Sequence, residues 1–195
     1  LTGWNIDKVP ANSFNNFKPK DAAKLSPETF SAMNPEQFKA MPANAFTGFK
    51  PDQVAALSPQ VFSGMKSTQM ASMPTNAFGS FNSEQLGALP AAAFGAMKPT
   101  QVGAMPPAAM ASMSPQQVGA LPATAVAGLK ADQVAALPAS ALATMKPAQV
   151  GALSPASAAG FSNEKLAAMT PAQEKALKPG FVNKFTPEQK AALKG

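Results

Sequence analysis

A frame of eight residues runs through this chain without insertion or deletion, from Thr2 to Leu193. We call each copy an octad and number the octads 1 to 24 from Thr2. Position eight is large and apolar in all 24 octads, position five is so in 20 of them, and all 20 prolines fall at positions one or two. This regularity predicts a repeat architecture, in which each unit buries its apolar face against its neighbours.

A second period of sixteen residues is superimposed on the octads. One octad type often begins with proline, whereas the other often begins with lysine and carries glutamine at position four. The glutamines that recur every sixteen residues are Gln37, Gln53, Gln69, Gln85, Gln101, Gln117, Gln133 and Gln149. The structural repeat is therefore predicted to be a pair of octads, and the chain to hold 12 such pairs.

The order of residues within an octad predicts one very short helix. Positions five and eight share a helical face because they are three residues apart. Proline at position two suits the first turn of a helix, and the next proline prevents the helix from continuing. Ser114 with Gln117, and Thr186 with Gln189, have the spacing of capping boxes. Because so short a helix is unstable alone, its stability must come from stacking.

We therefore predict an all-α solenoid of about 12 coils, with two very short helices in each sixteen-residue coil. At a helix packing distance of about 8–10 Å, such a stack would form a rod on the order of 100 Å long. The alternative is a β-solenoid with sixteen-residue coils. Abundant alanine, a single isoleucine and a proline in every coil are unfavourable to strands.

Residues 1–195 are predicted to form a single repeat array with a cap at each end. In the amino-terminal cap, residues 1–25, we interpret Trp4 as a lid over the first coil. Residues 26–169 are the regular octads, and residues 170–195 form a carboxyl-terminal cap because Glu174 and Lys190 occupy core positions. Leu1 would end an incomplete octad, which indicates a processed chain or a fragment.

The composition argues against enzymatic chemistry and against metal binding by histidine or cysteine. Cysteine is absent, and so are histidine, arginine and tyrosine, which leaves no thiolate ligand and no histidine base. A pair of catalytic carboxylates would have to come from neighbouring coils, for example Glu36 and Asp52. The net charge of +6 comes without the arginines that phosphate and base recognition usually uses. We therefore expect no enzyme activity, no cofactor, no nucleic-acid partner and no membrane span.

Three series of side chains would each follow one line along a solenoid of sixteen-residue coils. The lysine series is interpreted as either a solvated edge or a contact surface for an anionic polymer or surface. Its members are Lys18, Lys50, Lys66, Lys98, Lys130, Lys146 and Lys178. The glutamine series is interpreted as helix caps or as an amide ladder between coils. The methionines at position eight are interpreted as core.

The stretch LPATAVAGLKADQVAAL, from Leu121 to Leu137, resembles the short LxPxQVAAL arrays of large surface and adhesin-type repeat proteins. The resemblance covers nearly the whole chain and implies a non-enzymatic, extracellular or cell-surface scaffold. We expect a rod, spacer or filament subunit that assembles with itself, end to end or laterally. The alternative is a binding module for a repetitive target, such as a polysaccharide, ice or an anionic polymer.

Overall fold

A computed structural model describes residues 5–194 of the chain, in which each octad forms one short helix and no strand occurs. The α-helices are Pro19–Ala22, Pro27–Ser31, Pro35–Ala40, Pro51–Ala56, Ser67–Ser72, Ser83–Ala88, Pro99–Val102, Pro107–Met110, Pro115–Ala120, Ala123–Val126, Ala131–Ala136, Ala139–Ala143, Pro147–Gly151, Asn163–Ala167, Pro171–Ala176, Pro179–Val182 and Pro187–Ala192. The 3₁₀-helices are Ile6–Lys8, Ala11–Phe14, Ala43–Gly48, Pro59–Gly64, Thr75–Ser80, Ala91–Ala96 and Pro155–Gly160.

The octad frame determines where each helix begins and ends. In octad 7, Lys50 has an extended backbone, Pro51 is the first helical residue, and Leu57 returns to extended φ and ψ of −67° and 134°. An extended residue before and after the helix, as also found at Pro35–Ala40 and Ser83–Ala88, turns the chain toward the next octad. Proline at the first helical position loses no helical hydrogen bond. The capping boxes predicted at Ser114 and Thr186 are both present.

The predicted all-α solenoid of very short helices is confirmed, but its turn is longer than a pair of octads. The extensive helix–helix contacts join octads that are three apart, so that Pro51–Ala56 packs between Pro27–Ser31 and Thr75–Ser80. Side-chain hydrogen bonds also reach four octads back. A turn therefore spans three to four octads, which gives roughly seven turns rather than 12 and a length of roughly 60–70 Å. The sixteen-residue period describes octad chemistry, not the coil.

The core is formed by positions five and eight, as the sequence predicts, together with position four. Phe46, Phe62, Phe78 and Phe94 at position five are 0 % exposed, and the methionines at position eight are buried. Position four is buried as well, by glutamine in one octad type and by alanine in most octads of the other. The sequence pattern does not predict burial of position four, because its glutamines are polar.

Position seven allows the backbones of successive turns to approach each other. A Cβ atom built on Gly128 would lie 2.0 Å from the carbonyl oxygen of Pro99, three octads earlier. Gly48 meets the carbonyl of Pro19 at the same distance, and Gly160 meets that of Ala131 at 2.1 Å. Glycine is therefore required at these three positions for steric reasons.

Replacing Gly128 with alanine is expected to destabilise the protein by about 1–3 kcal/mol, because either the methyl group or the Pro99 backbone must move. The matched control is Gly119→Ala, since a Cβ there meets nothing within 4 Å. Alanine is the better helix former, so the control should be neutral or up to about 1 kcal/mol more stable. Urea unfolding of both variants checks the difference, and equal midpoints would contradict the close approach.

The amino-terminal turn differs from the turns that follow it. Val9, Phe17 and Leu25, the position-eight residues of octads 1 to 3, are only partly buried, whereas this position is buried in octads 4 to 23. The proposed lid residue Trp4 lies outside the described residues. The division of the chain into a cap of residues 1–25, a regular array and a cap of residues 170–195 stays a prediction.

Candidate functional site

The dominant polar feature of the structure is a buried glutamine that joins one turn to the turn before it. The Oε1 atom of Gln85 accepts a hydrogen bond of 3.1 Å from the backbone N–H of Asn82 in its own octad. Its Nε2 atom donates to the carbonyl oxygens of Val54 and Leu57, at 2.9 and 2.8 Å. One side chain thus caps its own helix and bonds two carbonyls of octad 7. We call this arrangement the glutamine clamp.

The clamp recurs with constant geometry in ten octads. Its acceptors are the carbonyls of positions five and eight, four octads earlier, and the bond to position eight is always 2.7–2.9 Å. The clamp residues are Gln37, Gln53, Gln69, Gln85, Gln101, Gln117, Gln133, Gln149, Gln173 and Gln189. Both interpretations of the glutamine series, caps and an amide ladder, are therefore confirmed together.

Octads that begin with proline do not need a clamp. Proline has no N–H group, so no donor at position one has to be satisfied. Position four is a buried alanine in six of the seven octads that begin with proline, at Ala45, Ala77, Ala93, Ala109, Ala125 and Ala141. Within the described residues, no buried side-chain nitrogen or oxygen lacks a hydrogen-bond partner. In most octads, position four thus carries a polar side chain where position one has an N–H group to bond, and an apolar one where proline leaves none.

The glutamines do not lie on a single line. Because each clamp reaches four octads back, one ladder joins octads 1, 5, 9, 13 and 17 through Gln37, Gln69, Gln101 and Gln133. A second ladder joins octads 3, 7, 11, 15 and 19, through Gln53, Gln85, Gln117 and Gln149. The sixteen-residue series is therefore two ladders with a 32-residue step. Gln173 and Gln189 do not belong to that sixteen-residue series. The only sequence signal for them is that they hold position four of their octads.

Lys165 occupies position four of octad 21, where the first ladder would place its next glutamine. Its Nζ atom donates to the carbonyl oxygens of Val134, at 2.8 Å, and Ala135. Partial burial lowers the pKa of this ammonium group, and the neighbouring Glu164 carboxylate opposes the shift. An ammonium group cannot accept a hydrogen bond, so Lys165 cannot cap the N–H of Ser162 as a glutamine would.

The seven lysines of the predicted contact series are all exposed. Lys66, Lys98 and Lys130 begin octads 9, 13 and 17, which glutamine clamps join but which share no extensive helix contact. Lysines sixteen residues apart, such as Lys50 and Lys66, begin octads that do not pack against each other to any great extent. No two of the seven lysines begin octads that are three apart, so the extensive helix contacts do not place one of them directly on another. The contact role of these lysines stays a prediction.

The acidic residues are not arranged as a catalytic pair. Glu36 and Asp52 are exposed and belong to octads 5 and 7, which share no extensive contact. The pKa values of the Glu28 and Glu188 carboxyls are lowered, first by hydrogen bonds from their own backbone N–H groups and then by the hydroxyls of Ser26 and Thr186. Among residues 5–194, no group of three acidic side chains is placed to hold a metal ion.

An apolar cleft lies beside the first three octads. Ile6, Val9, Phe14, Phe17 and Leu25 form its floor, and its volume is about 390 Å³. Its polar rim consists of Ser13, Asp21, Lys24 and Thr29. The cleft lies beside the position-eight side chains Val9, Phe17 and Leu25, which are only partly buried.

In the described part of the chain, no helix has the length and apolar character needed to cross a membrane. No protein-family model matches the chain, and no curated protein is significantly similar to it.

Proposed function

We propose that the protein is a non-enzymatic structural repeat protein, a rod or spacer that presents a periodic surface. The glutamine clamp is the observation that supports this proposal. It uses the buried amides to join turns, and no buried side-chain nitrogen or oxygen among the described residues is left without a hydrogen bond. The likeness to surface and adhesin-type arrays favours a location outside the cell or at its surface.

The first turn favours a spacer over a filament built by end-to-end stacking. Position four of octads 1 to 4 is Asn5, Ser13, Asp21 and Thr29, none of which is long enough to act as a glutamine clamp. A second copy stacked through this turn would contribute apolar contacts from the cleft but no clamps. Lateral association remains the other route to self-assembly within the proposal.

Light scattering after size-exclusion chromatography, combined with negative-stain microscopy, tests this proposal. We expect rods of one or a few chains, roughly 60–70 Å long in a single chain. The same preparation is tested for co-sedimentation with insoluble polysaccharide and with ice. Partition onto either solid without self-association would favour the binding module instead. Turnover of a substrate, lost on Asp52→Asn, would refute a non-enzymatic role.

A second candidate function is contact with an anionic polymer, and one observation favours it. Lys66, Lys98 and Lys130 are exposed and stand at position one of three octads that glutamine clamps join. Between Lys66 and Lys130 the only acidic residue is Glu84, which leaves this segment with a positive surface. A flexible polyanion could neutralise several such charges together.

Binding to a sulfated polysaccharide column at low salt tests this candidate. We expect the triple variant Lys66→Gln, Lys98→Gln, Lys130→Gln to elute at clearly lower salt than the parent chain. The control removes three exposed lysines elsewhere, with Lys20→Gln, Lys39→Gln and Lys175→Gln. If the two triple variants elute at the same salt concentration, net charge alone determines retention, and Lys66, Lys98 and Lys130 have no special role.

A further inference from the structure

The turn formed by residues 162–193 is attached differently from the turns before it. It comprises octads 21 to 24, whose helices pack on octads 18 to 20 and on each other. Glutamine holds position four in every odd octad from 5 to 19, but in this turn it moves to octads 22 and 24. The alternation of the earlier octads is therefore interrupted at octads 20 and 21, and this segment is held by the clamps of Gln173 and Gln189, to octads 18 and 20, and by Lys165.

The core is also weaker across this boundary. Position five is Ala158 in octad 20 and Glu174 in octad 22, whereas octads 4 to 19 all have a large apolar residue there. Lys190 takes the same position in octad 24 and is exposed. Each missing large side chain removes about 1.5–3 kcal/mol of burial relative to a regular octad. Separating this turn from the rest of the solenoid thus breaks fewer apolar contacts than separating a turn of regular octads would.

One aromatic group partly compensates for this loss. Phe181, at position four of octad 23, is buried, and its ring centroid lies 5.7 Å from that of Phe161 in octad 20. Phe185 also meets Phe161, at 6.4 Å. Phe181 and Phe185 both belong to octad 23, so they would leave Phe161 together. This geometry favours separation of the turn as one body over loss of single residues.

The bond that continues the first ladder into this turn is the Lys165 ammonium. Its hydrogen bonds go to the carbonyls of positions five and six of octad 17, at Val134 and Ala135. A glutamine clamp would instead take positions five and eight and cap its own helix. The ammonium also loses hydration by partial burial, which offsets part of what these bonds contribute.

We infer that residues 162–193 open and close as a unit at the Lys165 junction, while the turns before them stay folded. The open state would release a tether of 32 residues, with a maximum extension of about 110 Å. For a rod or spacer, this is a built-in extensible segment. The inference goes beyond the proposed function, and its failure would leave the proposal of a rod or spacer unaffected.

Native-state hydrogen exchange of the full chain, read by mass spectrometry, tests this unit opening. Amides of octads 21 to 24 are expected to exchange at one common rate, at least tenfold faster than those of octads 5 to 19. Lys165→Gln restores the clamp chemistry and should slow exchange throughout residues 162–193 by about fivefold, the effect of one net hydrogen bond. Octads 5 to 12 should not change.

Lys175→Gln is the matched control, because Lys175 is an exposed lysine of the same turn. It removes the same charge without a clamp and should leave the exchange rates as they are. Equal effects of the two variants would overturn the role of Lys165. Rapid exchange confined to octad 24 would show simple end fraying, and protection as high as that of octads 5 to 19 would exclude opening altogether.

Discussion

Replacing Gln117 with glutamate is expected to destabilise the protein by about 3–5 kcal/mol at neutral pH, the effect of an uncompensated buried charge. The Nε2 atom of Gln117 donates to the carbonyl oxygens of Leu86 and Leu89, at 3.0 and 2.8 Å. A carboxylate has no proton to donate, so an anion would face two carbonyl oxygens at 4 % exposure. The shape of the side chain is otherwise unchanged, so the variant isolates the donor function of the clamp.

The adjacent Gln116 provides a closely matched control. Gln116 is exposed at position three of the same octad, where several other octads carry an acid. Gln116→Glu makes the same chemical change one residue away, at a position where the first-turn N–H groups favour a negative charge. We expect no loss of stability. Urea unfolding of both variants would contradict the clamp if their midpoints shifted equally.

The Gln117→Glu variant should also be sensitive to pH. Burial and the two carbonyl oxygens would raise the pKa of the introduced carboxyl above its unfolded value of about 4.3. Below that value the group is neutral in both states, and a protonated carboxyl can donate one hydrogen bond. The added destabilisation should therefore grow as the pH rises from about 4.3 through the folded pKa. If the loss of stability in Gln117→Glu were the same at every pH between 3 and 7, it would argue against a buried carboxylate.

The helices could be predicted from the sequence because their signals are local. Proline at position one or two determines where a helix begins, as at Pro51, and the next octad ends it, as at Leu57. Positions five and eight identify the core face without reference to any other octad. These features depend on residues within one frame, and the structure places them as expected from the frame.

The turn of the solenoid could not be predicted in the same way. The sixteen-residue period was taken as the coil, but Gln85 bonds Val54 and Leu57, which are 31 and 28 residues earlier. Because the two octad types alternate, octads that are four apart are of the same type. A two-octad sequence period is therefore compatible with a turn of three to four octads. Which octads meet depends on packing angles that no single octad encodes. The bonds of Lys165 to backbone carbonyls could not be predicted, because the identity of a lysine does not indicate which acceptors its ammonium group reaches.

Replacing Phe78 with alanine is expected to cost about 3–5 kcal/mol, the range for a large side chain lost from a core. Phe78 is 0 % exposed at position five of octad 10, and its ring centroid lies 5.8 Å from that of Phe81. The helix Thr75–Ser80 packs between Pro51–Ala56 and Pro99–Val102, so both neighbouring turns would border the cavity. Neither neighbour can fill it without breaking its own contacts.

Lys98→Ala is the comparison for this variant, because Lys98 is an exposed residue that precedes the helix Pro99–Val102 as its N-cap. Its backbone N–H donates to Gln101, and alanine retains that bond, so the change in stability should lie within about 0.5 kcal/mol. In a solenoid each turn contacts only its neighbours, so the Phe78 cavity should weaken octads 7 to 13 first. Urea unfolding followed by circular dichroism should show a lower midpoint, or a second transition, for Phe78→Ala alone. Equal midpoints for the two variants would mean that position five does not face the core.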